Sequence, residues 1–168
     1  MTFSTRRRLL TAALAAVSLA GCGFHLRGNI AMPFKSAYIN GSEHDPVLTD
    51  LRRQLRLNDV EVVDSVKGAD IVIRVLQLKK ERDILSLNSA GKAREYRLFY
   101  TLAYAIDAAD GTSLRTPDRI TLRRDVTYDD SQVLAKEQEE ALLYRDMESD
   151  LVQQLMRRLA TVKLDPAK

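Results

Sequence analysis

Tryptophan is missing from this chain, histidine occurs twice and cysteine once. A single cysteine excludes an internal disulfide, a Cys-x-x-Cys redox pair and a thiolate zinc site. The two histidines, His25 and His44, stand 19 positions apart and neither belongs to a His-Glu-x-x-His pair. The seven glycines form no phosphate loop ahead of a helix and no Gly-x-Ser-x-Gly elbow. Adjacent carboxylates do occur, at Asp129-Asp130 and Glu139-Glu140, but they read as a helix cap and a solvated first turn. These absences argue against an enzyme and against any metal or cofactor. No apolar run reaches the roughly 20 residues that a membrane-spanning helix requires, and there is no internal repeat or low-complexity linker.

The longest apolar stretch, Leu9 to Ala20, follows Arg6-Arg7-Arg8 and ends in the small residues Gly21 and Cys22. Basic, apolar and small zones in that order make an export signal. Its end, Leu19-Ala20-Gly21-Cys22, resembles a bacterial lipobox, which implies cleavage before Cys22 and lipid on its thiol and amine. Each buried lipid CH₂ contributes about 0.8 kcal/mol, so several acyl chains hold a protein on a membrane. Gly23 stands where an aspartate would resemble an inner-membrane retention signal, so the resemblance implies the outer membrane. Residues 1–21 are then a removed signal, and residues 22–168 form one domain. The removed part carries three arginines and no acid, which cancels the whole formal excess of +3. The mature chain is electrically balanced, so nothing points to nucleic acid.

After a short extended piece, Phe24 to Gly28, and another near Ala37-Tyr38-Ile39, Asp45-Pro46 reads as an N-cap with proline in the first helical turn. Val47, Leu48, Leu51 and Leu55 give that helix one apolar face, and Asn58 stops it. Val60 to Val63 and Ile71 to Leu78 read as strands. Tyr96, Leu98, Tyr100, Leu102, Tyr104 and Ile106 alternate along a long strand. A second strand, from Leu114 to Tyr128, returns after Asp110-Gly111. A three-residue loop pairing 108 with 112 keeps both apolar faces together, gives Gly111 the positive φ of a bulge, and sets Arg97 opposite Arg123. Pro117 makes the second strand an edge or breaks it locally. A final helix runs from about Gln132 to Ala160, with Asp130 and Ser131 as candidate caps and a stripe of Ala141, Tyr144, Met147, Leu151, Leu155 and Leu159. The fold class is α+β, a mixed or antiparallel sheet of four to five strands with two helices packed on one face.

Four pieces of the chain carry a family resemblance. They are Gly21-Cys22-Gly23-Phe24-His25-Leu26-Arg27-Gly28, the run from Leu51 to Asp64, Glu95-Tyr96-Arg97-Leu98, and Leu134-Ala135-Lys136. Together they resemble the LptE family of lipopolysaccharide-assembly lipoproteins over nearly the whole chain. The resemblance implies a non-catalytic plug within the LptD β-barrel of the outer membrane, which assists assembly of that barrel and engages lipopolysaccharide in transit. It also implies that Lys136 contacts lipopolysaccharide, and that Lys92 or Arg94 supplies the cation which relatives place earlier in the preceding loop.

Lipid A presents phosphates above acyl chains, so its receptor needs cations beside an apolar or β-rich surface. Arg115, Arg119 and Arg123 are expected on one strand face, and Arg97 is expected to face Arg123. The candidate lipopolysaccharide contacts are therefore Lys136, Arg123, Arg97, Arg119, Lys92 and Arg94. The Tyr96, Tyr100 and Tyr104 stripe is expected to offer more surface than two helices cover, leaving part for a barrel wall. Two competing readings remain. One is an envelope scaffold lipoprotein that binds only protein, and the other is a tethered hydrolase, for which the sequence offers no nucleophile with a nearby base.

Overall fold

The computed structural model describes residues 30–164, so the signal, Cys22, His25 and the extended piece from Phe24 to Gly28 lie outside the described residues. Along the chain come β1 (Ser36–Asn40), α1 (Pro46–Leu57), β2 (Glu61–Val63), β3 (Ile71–Leu87), β4 (Ala93–Ala108), β5 (Ser113–Thr127), a 3-10 turn (Asp130–Gln132) and α2 (Val133–Leu159). The strands make one mixed sheet in the order β2-β1-β3-β4-β5. In it β1 lies parallel to β2 and β3, and the last three strands are antiparallel. This is the expected α+β class.

Helix α1 forms where its signals stand: the Asp45 carboxylate accepts the N–H of Val47 at 2.9 Å and of Leu48 at 3.4 Å, and Pro46 occupies the first turn. It ends at Asn58, whose side chain donates to Gln54 O and accepts the Ile30 N–H. Its four apolar residues are buried, as are Met147, Leu151, Leu155 and Leu159 of α2. Both helices pack into one cluster with Ala37, Ile39, Ile71, Ile73 and the even-numbered β4 residues, so both cover the same sheet face. The cap of the last helical segment is Asp129, one residue before the expected pair: its carboxylate accepts the Ser131 N–H and starts a 3-10 turn that leads into α2.

Two features depart from expectation. Strand β3 runs nine residues past Leu78, through a charged stretch whose main chain is held by β4. The β4–β5 loop has the anticipated form, with Ala108 N–H donating to Thr112 O and Gly111 at φ 88°. Beyond it the register shifts twice, and the strand pairs Arg97 with Asp125 and Phe99 with Arg123. The expected Arg97–Arg123 opposition does not occur. The shifts flank Arg115, and the one toward Asp118 spans Pro117, which has no N–H to give a ladder; β5 slips by two residues in all and its apolar face stays aligned. β5 is an edge strand, as anticipated.

The sheet is unequal along its length. Its lower half has five strands under both helices. Its upper half has only β3, β4 and β5 under the first turns of α2, because β1 ends at Asn40, opposite Arg74 of β3. No helix among the described residues is long and apolar enough to cross a membrane.

Candidate functional site

The candidate cations gather at the upper end and along the open sheet face. Helix α2 starts just after β5 ends, which brings Lys136 Nζ to 2.9 Å from Thr127 Oγ1 and 2.8 Å from the Glu139 carboxylate. Lys92, from the β3–β4 loop, reaches Asp130 in the turn before α2 at 2.7 Å. Arg94 lies beside them on β4, its carbonyl accepting the Tyr128 N–H. Thr127 belongs to the odd-numbered face of β5 that the helices leave open. Two residues on, Asp125 accepts a two-pronged pair from Arg97, Nε at 2.7 Å and Nη2 at 2.8 Å. Arg123 follows on the same face, and Arg119 lies four residues further, about 13 Å at roughly 3.3 Å per residue. Lys136, Arg97 and Arg123 thus form one strip joined through Thr127 and Asp125, with Lys92 and Arg94 at its upper end and Arg119 as its far member.

Three of these six cations, Lys92, Arg97 and Lys136, are already partnered. The Asp125 carboxylate holds the Arg97 guanidinium above its ordinary value and is itself held below the usual carboxylate range. Asp130 likewise holds the Lys92 ammonium above its ordinary value. Among the described residues, Arg94, Arg119 and Arg123 have side chains in no ion pair. Exposed pairs of this kind are worth about 0–1 kcal/mol, so a ligand phosphate could displace the carboxylates at small cost.

Arg115 does not join the strip. The slip around Pro117 turns it to the helix face, where its guanidinium donates to Arg158 O and Thr161 Oγ1 at the foot of α2. Arg158 binds Asp118 at 2.6 Å in the same corner. Burial works to raise the Asp118 carboxyl, but the Arg119 N–H and the Arg158 charge outweigh it and hold the group below the usual range.

The tyrosine stripe is also used differently from expectation. Tyr100 and Tyr104 are buried inside the chain, and burial pushes the Tyr100 phenol well above its ordinary value. Lys80 of β3 lies 5.0 Å from the Tyr100 ring and 5.1 Å from that of Tyr144, and Arg82 lies 4.5 Å from the Tyr96 ring. Tyr96 also packs edge-on against Tyr128. The exposed apolar surface of the upper end comes instead from Ile84, Leu85 and Leu87 of β3 and from Val133, Leu134 and Leu142 of α2, with Leu134 76% exposed. Sequence reading missed these because Ile84, Leu85 and Leu87 follow a charged run and, like Val133, Leu134 and Leu142, fall in no regular apolar stripe. Cations beside exposed aliphatic side chains match the two halves of an anionic amphiphile.

A family profile for LptE, described as lipopolysaccharide-assembly, matches residues 31–159. The LPS-assembly lipoprotein LptE of Pectobacterium atrosepticum is 34% identical over 94% of this chain and 88% of its own length. That of Photorhabdus laumondii is 31% identical over the same shares. Among solved structures, an uncharacterized lipoprotein B from Nitrosomonas europaea superposes with a TM-score of 0.72 at 34% identity, covering 82% of this chain and 90% of that one. The rare lipoprotein B of Shewanella oneidensis gives 0.67 at 29% identity, over 76% and 95%.

Proposed function

The chain belongs to the LptE lipopolysaccharide-assembly family, and on that premise we propose that it is a non-catalytic lipoprotein, anchored by Cys22 to the outer membrane, with residues 22–168 as its single working domain. It has a role in the lipopolysaccharide transport machinery. Within that machinery we assign it three tasks: to plug an LptD-like β-barrel, to assist assembly of that barrel, and to bind lipopolysaccharide as it passes. The supporting observation is the strip from Lys136 through Thr127 to Arg97 and Arg123, at the end of the sheet where β3 and α2 also carry exposed aliphatic side chains.

The strip suits a ligand with several phosphates spaced along an extended surface, not a single buried anion. Arg123 offers a cation with no carboxylate to displace, whereas Lys136 and Arg97 exchange a carboxylate for a phosphate. Charge-assisted hydrogen bonds contribute about 1.5–3 kcal/mol each, so two such contacts account for a hundredfold preference or more over an uncharged glycolipid. The test is binding of purified lipopolysaccharide to the mature chain in detergent. The Arg123→Ala, Lys136→Ala double variant should bind at least tenfold more weakly with its circular dichroism unchanged. Equal affinity would remove the strip as the site.

One observation favours the protein-only scaffold: Lys92, Lys136 and Arg97 already have carboxylate partners. That reading predicts no lipopolysaccharide binding by wild type at low salt, so the same titration separates the two.

A further inference from the structure

Helix α1 spans twelve residues, about 18 Å, whereas β2, the edge strand it packs against, spans three, about 10 Å. The helix therefore overhangs the corner of the sheet, and the groove beside β2 holds about 780 Å³. Thr49, Arg52, Arg53 and Arg56 line its helix side, at the three- and four-residue steps that share a helix face. Val62, Val63 and Asp64 line its strand side.

The charges of this groove are only partly used. Arg53 is paired with Asp50. Arg52 and Arg56 belong to no ion pair among the described residues, and like charges at their four-residue spacing repel. Arg52 Nη1 is buried, and among the described residues no atom accepts its N–H. A guanidinium keeps its charge and all its donors, so a buried one left unmet costs free energy until an oxygen acceptor reaches it. A lone anion does not complete the site, because the carboxylates of Glu43 and Asp64 line the same groove and also lack ion pairs among the described residues.

The two signs are sorted along the helix. Thr49 Oγ1 donates to Glu43 O, which sets Glu43 beside the first turn of α1, and Asp64 follows Val63 at the end of the sheet where β1 leads into α1. Arg52 and Arg56 lie one and two turns further on, and Leu57, 59% exposed, closes the row at the foot of the helix. At that foot Ile30 N–H is tied to Asn58, and the eight residues from Cys22 to Asn29 reach at most about 28 Å. Acid, cation and apolar side chain thus succeed one another toward the point where the anchored segment leaves.

We propose that the groove holds the zwitterionic headgroup of a glycerophospholipid from the leaflet that carries the Cys22 anchor. Its ammonium lies on Glu43 and Asp64, its phosphate on Arg52 and Arg56, and its acyl chains leave past Leu57. Ammonium, phosphate and acyl chains follow in that order along such a lipid, which is the order of the groove. Arginine forks suit phosphate oxygens, and carboxylates accept from a primary ammonium, whereas a quaternary one has no N–H to donate. A free amino acid is zwitterionic too, but it is far smaller than the groove. The source of the lipid rests on the lipoprotein reading above; the chemistry of the groove does not.

The test is native mass spectrometry of the mature lipoprotein released from dodecyl maltoside micelles doped with equal amounts of phosphatidylethanolamine, phosphatidylglycerol and phosphatidylcholine. One phosphatidylethanolamine should stay bound, about fivefold or more above either competitor. Arg52→Gln together with Arg56→Gln should lower its retention about tenfold or more. Glu43→Gln together with Asp64→Asn should erase the preference among the three lipids, and Arg157→Gln, on α2, should leave retention and preference as in wild type. No retained phospholipid, equal retention of the three by wild type, unchanged retention in the arginine double variant, or displacement of phosphatidylethanolamine by added lipopolysaccharide would each overturn the proposal. Circular dichroism checks the fold of each variant, and should the arginine pair misfold, the preference shown by wild type and its loss in the carboxylate pair decide. The same spectrum gives the mass of the N-terminal lipid, so failure of the Cys22 anchor and failure of the groove site are read separately.

Discussion

Glu139→Gln is the most discriminating single substitution for the lipopolysaccharide site, because it should improve binding. Lys136 Nζ lies 2.8 Å from the Glu139 carboxylate, three residues along the same helix, and that carboxylate must be displaced before a phosphate takes its place. A pair at this spacing on a helix is worth about 0.2–0.5 kcal/mol, and a partly exposed one no more than about 1 kcal/mol. Removing the competing charge while keeping the shape should therefore tighten lipopolysaccharide binding by roughly two- to fivefold. Lys136→Ala works in the opposite direction. A charge-assisted contact of about 1.5–3 kcal/mol, less the cost of displacing Glu139, leaves roughly 1–2 kcal/mol net, a loss of about five- to thirtyfold. Titration of the mature chain in detergent, at low and at moderate salt, reads both effects, and each should shrink as salt screens the charges. Weaker binding by Glu139→Gln, or no change in either variant, would refute the assignment of Lys136 as a phosphate contact.

Other perturbations test the anchor, the core and the acid limb of stability. Cys22→Ser should block lipidation and leave the signal uncleaved, as read by mass spectrometry of the N-terminus. Leu151→Ala, in the middle of the core, should cost about 2–5 kcal/mol in urea unfolding, whereas Leu134→Ala, which is 76% exposed, should stay within about 0.5 kcal/mol. Asp45→Ala removes the cap of α1 and should cost about 1 kcal/mol. Asp70 accepts the N–H groups of Lys35 and Ser36 at 2.7 and 2.9 Å, chiefly the Lys35 bond holding its carboxyl below the ordinary value. Its stabilisation is present above the unfolded carboxylate range near pH 4 and is lost as pH falls through the lower folded value. Asp70→Asn should therefore destabilise at pH 7, and its deficit should shrink below pH 4 in urea titrations.

Local chemistry made α1, β4, the Gly111 loop and the buried half of α2 legible, since a cap, an alternation and a turn glycine each act within a few residues. Register was legible only to within two residues. Matching apolar faces decides between odd and even pairings, and a slip of two leaves the faces matched. The loop sets the pairing near Gly111 but not beyond Pro117, so the ion pair of Arg97 with Asp125 and the turning of Arg115 to the helix face stayed hidden. The upper part of β3 was invisible for another reason. Five consecutive charged residues, Lys79 to Asp83, carry no apolar period, and their strand form depends on hydrogen bonds from β4, nearly 20 residues away in sequence. The Lys136 position came from family resemblance, and Lys92 joined it by a loop-to-turn contact that spacing does not reveal.

Membership of a lipopolysaccharide-export machine makes its strongest physical commitment in the barrel partner. The direct measurement is to tag the C-terminus, extract outer membranes in mild detergent, and ask what elutes with the lipidated chain. The expected result is a large β-barrel protein in equimolar amount, with strand-rich circular dichroism and heat-modifiable mobility, whose level falls when this lipoprotein is depleted. A lipidated chain that elutes alone, from cells whose barrel proteins stay at normal levels after its depletion, would contradict the plug.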